Sequence, residues 1–131
     1  MEKVKALFKH AWPYVEDKMK LPVKDIEAAL PFYEKIMDFR VVSRKDLPYK
    51  SAILTRDDIQ IGLAENGGDP GQEGCFFEVD DVEKAFAELN TRGLKKEISA
   101  LKTENHGEAS WKLFYVVAPD GLCYCIGQKQ L

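Results

Sequence analysis

Residues that could carry nucleophilic, acid–base or metal chemistry are scarce in this sequence. It contains two histidines, His10 and His106, and three cysteines, Cys75, Cys123 and Cys125. Thiolates and imidazoles are the side chains that most readily act as nucleophiles, bases and metal ligands near neutral pH. Both histidines fall in segments that we predict to lie outside the sheets, which favours exposed or structural roles. No motif places a histidine beside a cysteine, so we do not expect thiol catalysis.

The cysteines also bear on the compartment. Cys123 and Cys125 are two residues apart on one predicted strand, a spacing that does not suit an unstrained disulfide. Three free thiols indicate a reducing environment, and the charged start of the chain lacks the apolar core of a secretory signal. No apolar run approaches the ~18 residues that a membrane helix requires. We therefore expect a cytoplasmic protein.

The composition excludes some partners. The net charge is −3, and 131 residues with 45% hydrophobic content can form one domain with one core. Acidic and basic side chains are interspersed, without the basic stripe that binding of nucleic acid requires. The sequence predicts neither a nucleic-acid partner nor a membrane partner.

Apolar residues near the N-terminus recur at spacings of three, four, seven and eight. This pattern predicts a helical arm over residues 1–15, ended or bent by Pro13. We expect it to pack on its own domain or on a dimer partner, with a lid over a ligand site as the alternative. The stripe consists of Val4, Leu7, Phe8, Ala11, Trp12 and Val15.

Residues 18–64 show the pattern of a first β-α-β-β-β module. Lys18–Val23 is predicted to be a strand that leads into Asp25, whose side chain suits a helix N-cap. Pro31 interrupts the helix that follows. β-Branched and aromatic residues then predict strands at 39–42, 50–55 and 59–63.

Residues 65–73 are rich in glycine and predict a linker rather than a phosphate-binding loop. The second module, residues 74–128, begins with the strand Cys75–Val79 and a helix capped by Asp80 or Asp81. Further strands are predicted at 94–99, 111–117 and 122–126, with a loop over 102–110.

The order of elements repeats because the sequence repeats. A shift of 56 places lays Val23–Leu30 on Val79–Phe86 with the cap and the apolar face preserved. Together with this duplication, four motifs resemble the vicinal oxygen chelate superfamily of glyoxalases, bleomycin resistance proteins and extradiol dioxygenases. The resemblance covers residues 18–128 and is nearest to the metal-free branch similar to bleomycin resistance proteins. The motifs are Leu21–Asp25, Phe32–Phe39, Glu78–Asp81 and Ala118–Gly121.

The resemblance implies an α+β fold in which two tandem βαβββ modules form a curved, incomplete mixed β-barrel with helices outside and a ligand cavity inside. In metal-dependent members, one inward residue on each of four strands binds the metal. Those positions correspond here to Lys18, Gly62, Gly74 and Cys125. Only the cysteine could ligate a cation, and a register error of one residue would bring in only Asp17, Glu73 or Cys75. We therefore expect no metal and no cofactor.

Alternation along the strands divides the side chains between two faces. The face toward the cavity is predicted to carry Lys18, Lys20, Gln60, Gly62, Ala64, Phe76, Glu78, Cys123 and Cys125. The face toward the helices is predicted to carry Met19, Leu21, Val23, Ile59, Ile61, Leu63, Cys75, Phe77, Val79, Leu122, Tyr124 and Ile126.

Six residues are our candidates for ligand binding: Glu78, Phe76, Gln60, Lys18, Trp111 and Cys125. Glu78 is the strongest polar candidate, because the aromatic ring of Phe76 is predicted on the same face of the strand. It could form a salt bridge with Lys18 or Lys20, or act as a general base. Further aromatic surface could come from Tyr49, Phe114 and Tyr115, each of which could equally pack in the core.

The leading functional hypothesis is a homodimer that binds a small apolar or aromatic molecule in the barrel cavity without a metal. The alternative is a lyase or isomerase of glyoxalase type that uses Glu78 or Lys18 as acid or base. A structural or regulatory domain without a ligand is the third possibility.

Overall fold

The computed structural model describes residues 6–13, 17–72, 74–94 and 101–130. Short helical turns lie at Phe32–Ile36, where the turn is π-helical, and at Pro70–Gln72. The described helices and strands, in chain order, are β1 (Phe8–Pro13), β2 (Leu21–Pro22), α1 (Ile26–Pro31), β3 (Arg40–Lys45), β4 (Ser51–Arg56), β5 (Ile59–Ala64), β6 (Gly74–Val79), α2 (Val82–Thr91), β7 (Lys102–His106), β8 (Ala109–Val117) and β9 (Cys123–Gln130).

Two mixed sheets carry the fold. A four-stranded sheet has the order β2-β5-β4-β3, and a five-stranded sheet has the order β1-β6-β9-β8-β7. In each module the first strand pairs parallel with the last, while the other pairs are antiparallel. The predicted fold class, with two βαβββ modules in a curved and incomplete barrel, is confirmed. None of the helices in the described ranges is long and apolar enough to span a membrane.

Both helices start where the repeated motif predicts. The Asp25 carboxylate accepts a hydrogen bond from the backbone N–H of Ala28, and the Asp81 carboxylate accepts from Glu83 and Lys84. These bonds satisfy N–H groups that have no partner inside the helix. α2 lies against the second sheet, where Phe86 and Phe114 form an edge-to-face pair 5.2 Å apart.

The prediction of a helical arm over residues 1–15 is wrong for its described part, because Phe8–Pro13 is strand β1. The helical spacing arises from an irregularity: Phe8 pairs with Val79 but His10 already pairs with Glu78, so the strand bulges at this point. The bulge returns Phe8 and Ala11 to the same buried face although they are three residues apart. A bulged strand therefore gave the apolar spacing of a helix.

Two other local predictions are wrong. The strand predicted at Lys18–Val23 is reduced to Leu21–Pro22, and a turn precedes it. The predicted loop over 102–110 is a hairpin, in which β7 pairs with β8. Its residues are polar because the strand lies at the edge of the sheet and is largely exposed. The strand predicted at 94–99 lies almost wholly outside the described residues.

The predicted division of faces is confirmed on the core side. Eleven of the twelve residues assigned to the helix-facing side are buried, and the exception, Met19, lies in the turn before β2. Phe114 also packs in this core, with a fully buried side chain. The sheets therefore present their apolar faces to the helices. The opposite faces carry the side chains that line the cavities.

The core also encloses polar groups. Tyr33 donates a hydrogen bond to Asp120 and lies 2.7 Å from the hydroxyl of Tyr124, which joins the first helical segment to β9. Burial raises the pKa of Tyr33 well above its usual value. The Arg56 guanidinium, at the end of β4, lies against the Glu88 carboxylate of α2 at 2.6 Å. Side-chain contacts in the core therefore connect the two modules.

Candidate functional site

A cavity of about 400 Å³ opens on the cavity face of the five-stranded sheet. We call it the aromatic pocket. Its size is within the range of small-molecule sites, and its lining is mostly apolar. The residues around it include Trp12, Phe76, His106, Tyr115, Cys123 and Cys125.

Phe76 is the centre of a cluster of rings at this pocket. Its ring centroid lies 5.0 Å from that of Trp111 and 5.9 Å from those of Trp12 and His106. Trp12 also stacks on His10 at 5.3 Å and remains 45% exposed. An indole with this much exposure beside several other rings offers a flat apolar surface to a ligand.

Strand pairing brings these side chains together from distant parts of the chain. Trp12 pairs with Phe76, Phe76 with Cys125, and Cys125 with Tyr115, which makes one row across four strands. Directly paired residues project from the same face of a sheet. The pocket therefore depends on the register of β1 against β6.

Gly127 leaves room for the Phe76 ring. A Cβ atom built at this glycine would lie 2.9 Å from Cζ of Phe76 and 3.2 Å from Cβ of Leu113. The ring of Phe76 therefore lies over the backbone of β9. Any larger residue at position 127 would push that ring toward the cavity.

A histidine and a carboxylate form a pair beside the cluster. Nδ1 of His10 lies 2.6 Å from Oε1 of Glu78, whose side chain is 15% exposed. Glu78 is thus paired with His10. The sequence had suggested Lys18 or Lys20 as its partner. Because a carboxylate on Nδ1 orients the imidazole, the pair could hold or transfer a proton.

A second polar group lies on the same face, near the opposite edge of the sheet. Tyr115 donates a hydrogen bond to Oε1 of Glu104 at 3.0 Å, and Nε2 of His106 lies 3.3 Å from the same oxygen. Burial, followed by the hydrogen bond to Glu104, raises the pKa of Tyr115 above its usual value. The phenol therefore stays protonated at neutral pH and keeps its role as a donor.

The cysteines of the pocket differ in their chemistry. Burial raises the pKa of Cys125 to about 12, so this thiol is almost entirely protonated at pH 8. Cys75 is buried in the core, whereas Cys123 is partly exposed at the pocket. Reactivity with electrophiles should therefore differ among the three.

We expect iodoacetamide at pH 8 to modify Cys123 first, and Cys75 and Cys125 at least about 100-fold more slowly, because only the thiolate reacts and access is needed. Mass spectrometry should find one adduct on the native protein and three in denaturant. Cys123→Ser should lose the fast adduct. Fast modification of Cys125 in the native protein would contradict this assignment.

Four of the six predicted binding residues share this face of the sheet: Phe76, Trp111, Cys125 and Glu78. The other two lie elsewhere. Gln60 is exposed on β5 of the other sheet, and Nζ of Lys18 lies 3.5 Å from the carbonyl oxygen of Ala11. The six predicted binding residues therefore do not line one common cavity.

Several residues at the site are not among the six candidates. His10 and Trp12 fall in the predicted helical arm, and His106 and Glu104 in the predicted loop, although all four lie on strands. The missing signal was alternation: His10 and Trp12 are two residues apart, as are Glu104 and His106. If each segment is a strand, His10 and Trp12 lie on one face of it, and so do Glu104 and His106.

The residues at the four metal-ligand positions do not fit a metal ion. A Cβ atom at Gly62 would lie 2.1 Å from the carbonyl oxygen of Met19, and one at Gly74 would lie 1.7 Å from that of Cys123. Neither position has space for a side chain. Lys18 is a cation, and the high pKa of Cys125 disfavours the thiolate that would ligate.

A shift of register does not supply a donor set either. Asp17 accepts a hydrogen bond from the N–H of Met19, Cys75 faces the core, and Glu73 lies outside the described residues. Within the described parts of the chain, no group of three or more His, Cys, Asp or Glu side chains is arranged to hold a metal ion.

Comparison with known proteins gives a consistent result. The sequence matches the model of the Glyoxalase/Bleomycin resistance protein/Dioxygenase superfamily over residues 14–108. A comparison with curated proteins found no match.

Several solved structures share the fold. The bleomycin resistance determinant encoded on the transposon Tn5 has a TM-score of 0.64 and 23% identity, with 89% of this chain and 99% of that chain covered. The antibiotic binding protein TnmS3 from Streptomyces sp. CB03234 has a TM-score of 0.60 and 19% identity over 88% and 97% of the two chains. Lactoylglutathione lyase from Agrobacterium tumefaciens has a TM-score of 0.63 and 17% identity over 88% and 93%.

Proposed function

This chain belongs to the glyoxalase/bleomycin resistance protein/dioxygenase superfamily, and from that premise we propose that it binds a small, planar aromatic molecule in the aromatic pocket without a metal ion. The observation that carries the proposal is the half-exposed Trp12 beside Phe76 and Trp111. Soluble proteins bury most large aromatic side chains, and a cluster of rings open to a cavity is typical of a ligand site.

The shape of the pocket suits a flat ligand better than a bulky one. Trp12 and Trp111 meet nearly at right angles, with 6.3 Å between their centroids, and Phe76 lies beside both. A planar ring can stack on one indole and touch the edge of the other. Tyr115, His106 and the thiols supply the polar edge that would orient it.

Two relatives support binding as the activity. One is described as a bleomycin resistance determinant and the other as an antibiotic binding protein. Both share the fold with this chain over most of their length. Their descriptions are consistent with a protein that holds a compound and releases it unaltered.

We expect Trp12→Ala to weaken the binding of a planar probe by about 10- to 100-fold, because exposed aromatic anchors contribute about 1.4–2.8 kcal/mol to binding. The probe is 2-naphthol, with cyclohexanol as the non-planar comparison, and titration calorimetry measures both. Val42→Ala removes another exposed apolar side chain, on β3, and should leave the affinity unchanged. Equal binding of the two alcohols, or full affinity in Trp12→Ala, would contradict the proposal.

A second candidate is a lyase or isomerase of glyoxalase type that uses Glu78 or Lys18 as acid or base. Glu78 is the better candidate for this role, because it is paired with His10, whereas the Lys18 ammonium contacts a backbone carbonyl. Incubation with lactoylglutathione, the compound named in one relative, tests this activity. Conversion that falls at least about 100-fold in Glu78→Gln would favour the enzyme, and recovery of unaltered compound would favour the binder.

We also propose that the protein acts as a cytoplasmic homodimer. The thiols of Cys123 and Cys125, which form no disulfide, support a reducing compartment. Each sheet carries a cavity that is open on one side, which supports an assembly in which a second copy adds a further wall to it. Light scattering should give the mass of two chains, and the mass of one chain would contradict the dimer.

A further inference from the structure

A second cavity, of about 250 Å³, lies on the cavity face of the four-stranded sheet. We call it the lysine cavity. Its lining includes two lysines, Lys20 and Lys45, and three hydroxyl-bearing residues, Ser43, Tyr49 and Ser51, together with apolar residues such as Ile53. Among the described residues, no aspartate or glutamate is part of this lining. The aromatic pocket has a different lining, from the other sheet.

Two rows of paired residues form the floor of this cavity. Ser43 pairs with Ile53, and Ile53 pairs with Gly62. In the next row Lys45 pairs with Ser51, and Ser51 pairs with Ala64. Hydroxyl and ammonium groups therefore project beside aliphatic groups from one face of the sheet.

Lys20 is brought to the same face by a turn that is fixed to the sheet. The N–H of Gly62 donates to the carbonyl oxygen of Lys18 at 2.9 Å, and Asn66 donates to the carbonyl oxygen of Lys20 at 3.2 Å. The turn is closed by a hydrogen bond from the N–H of Lys20 to the carbonyl oxygen of Asp17. The backbone that carries this lysine is thus held at both ends.

Within the described parts of the chain, neither Lys20 nor Lys45 is paired with a carboxylate. Glu27 is paired with Arg44, and the charge of Asp46 acts on the same guanidinium, whose pKa it helps to raise. Glu65 accepts a hydrogen bond from the N–H of Ile26. Two cations and three hydroxyl-bearing residues, with no carboxylate among the described lining residues, make a site that attracts an anion.

We propose that the lysine cavity binds a small amphipathic anion, with its carboxylate or phosphate group between Lys20 and Lys45 and its apolar part against Ile53. A cavity of this size holds an anion with a short chain or a single ring. The proposal is independent of the function proposed for the aromatic pocket. It concerns the other sheet and a ligand that must carry a negative charge.

The test uses NMR titration of the whole protein with hexanoate and with hexyl phosphate, which distinguish the two headgroups, and with hexanol as the uncharged comparison. Saturable shifts at the amides of Ser51, Ile53 and Ala64 with at least one anion, and none with hexanol, are expected. The affinity should fall several-fold between 20 and about 200 mM salt, because exposed charges are screened over about 8 Å.

The double variant Lys20→Gln, Lys45→Gln should weaken binding of that anion at least about tenfold. Lys50→Gln removes an exposed lysine close by and should change affinity less than about twofold. All three lysines are partly or fully exposed, so the variants should fold. Equal shifts with hexanol, absence of shifts with both anions, or unchanged affinity in the double variant would overturn the proposal.

Discussion

Arg56→Ala should lower the free energy of unfolding by about 3–5 kcal/mol, the range found when one partner of a buried ion pair is removed. The Arg56 side chain is 4% exposed, as is that of its partner Glu88. Removal of the guanidinium would leave this carboxylate buried beside apolar groups. Denaturant unfolding followed by circular dichroism measures the loss.

The large effect follows from the number of contacts that one side chain makes. Arg56 donates to the carbonyl oxygens of Met37 at 2.8 Å and Ala6 at 3.0 Å, and to Glu88 at 2.6 Å. Its guanidinium also lies 4.2 Å from the centre of the Phe8 ring. The side chain thus joins the N-terminal strand, the first helical segment and α2.

Glu88 depends on this arginine in turn. Its Oε1 also accepts the N–H of Ala6 at 3.2 Å, whereas its Oε2 lies 3.4 Å from Nε of Arg92 without the geometry of a hydrogen bond. The double variant Arg56→Met, Glu88→Leu should therefore be more stable than Arg56→Ala, because no charge remains buried.

Arg44→Ala serves as the matched control. Arg44 pairs with Glu27, but both side chains are about half exposed, at 41% and 55%. An exposed ion pair contributes about 0–1 kcal/mol, so this variant should lose no more than that. A loss of similar size in Arg44→Ala and Arg56→Ala would contradict the structural role assigned to the buried pair.

Gly62→Ala is expected to cost about 3 kcal/mol or more, at the upper end of the range for overpacking. A Cβ at this position would lie 2.1 Å from the carbonyl oxygen of Met19 and 2.9 Å from its Cα. These are backbone atoms, and the turn that carries them is hydrogen-bonded to the same glycine. The turn would have to leave the sheet.

Thermal and denaturant unfolding of Gly62→Ala should be compared with Gly71→Ala. Gly71 is exposed, and its nearest contact for a Cβ is a side-chain oxygen of Asp69 at 3.3 Å. This control should stay within about 1 kcal/mol of the parent protein. Equal stability of the two variants would show that the turn does not lie against Gly62.

The same clash argues against a metal ligand at position 62. Position 62 is one of the four places at which the superfamily pattern expects a metal ligand, and here backbone lies where a ligating side chain would begin. Gly62→His should therefore be destabilised rather than restored to metal binding. The glycine is needed for packing, which the sequence did not indicate.

Much of the fold followed from the sequence alone. The duplication over Val23–Leu30 and Val79–Phe86 predicted two modules. The caps at Asp25 and at Asp80 or Asp81 predicted where the helices begin, and the structure has Asp81 as the second cap. Alternation assigned the buried face of the strands, because a period of two specifies which side of a sheet each residue faces. These are local properties, set by a few neighbouring residues.

Tertiary structure decided the rest. Whether Phe8–Pro13 is a strand depends on its pairing with β6, and the bulge beside His10 gave it the spacing of a helix. The contacts of His10 with Glu78 and of Arg56 with Glu88 join residues 68 and 32 positions apart. Local periodicity does not specify such partners, since pairing energy and register arise only when distant segments meet. The sequence determined which faces exist, and the assembled sheets determined which side chains share them.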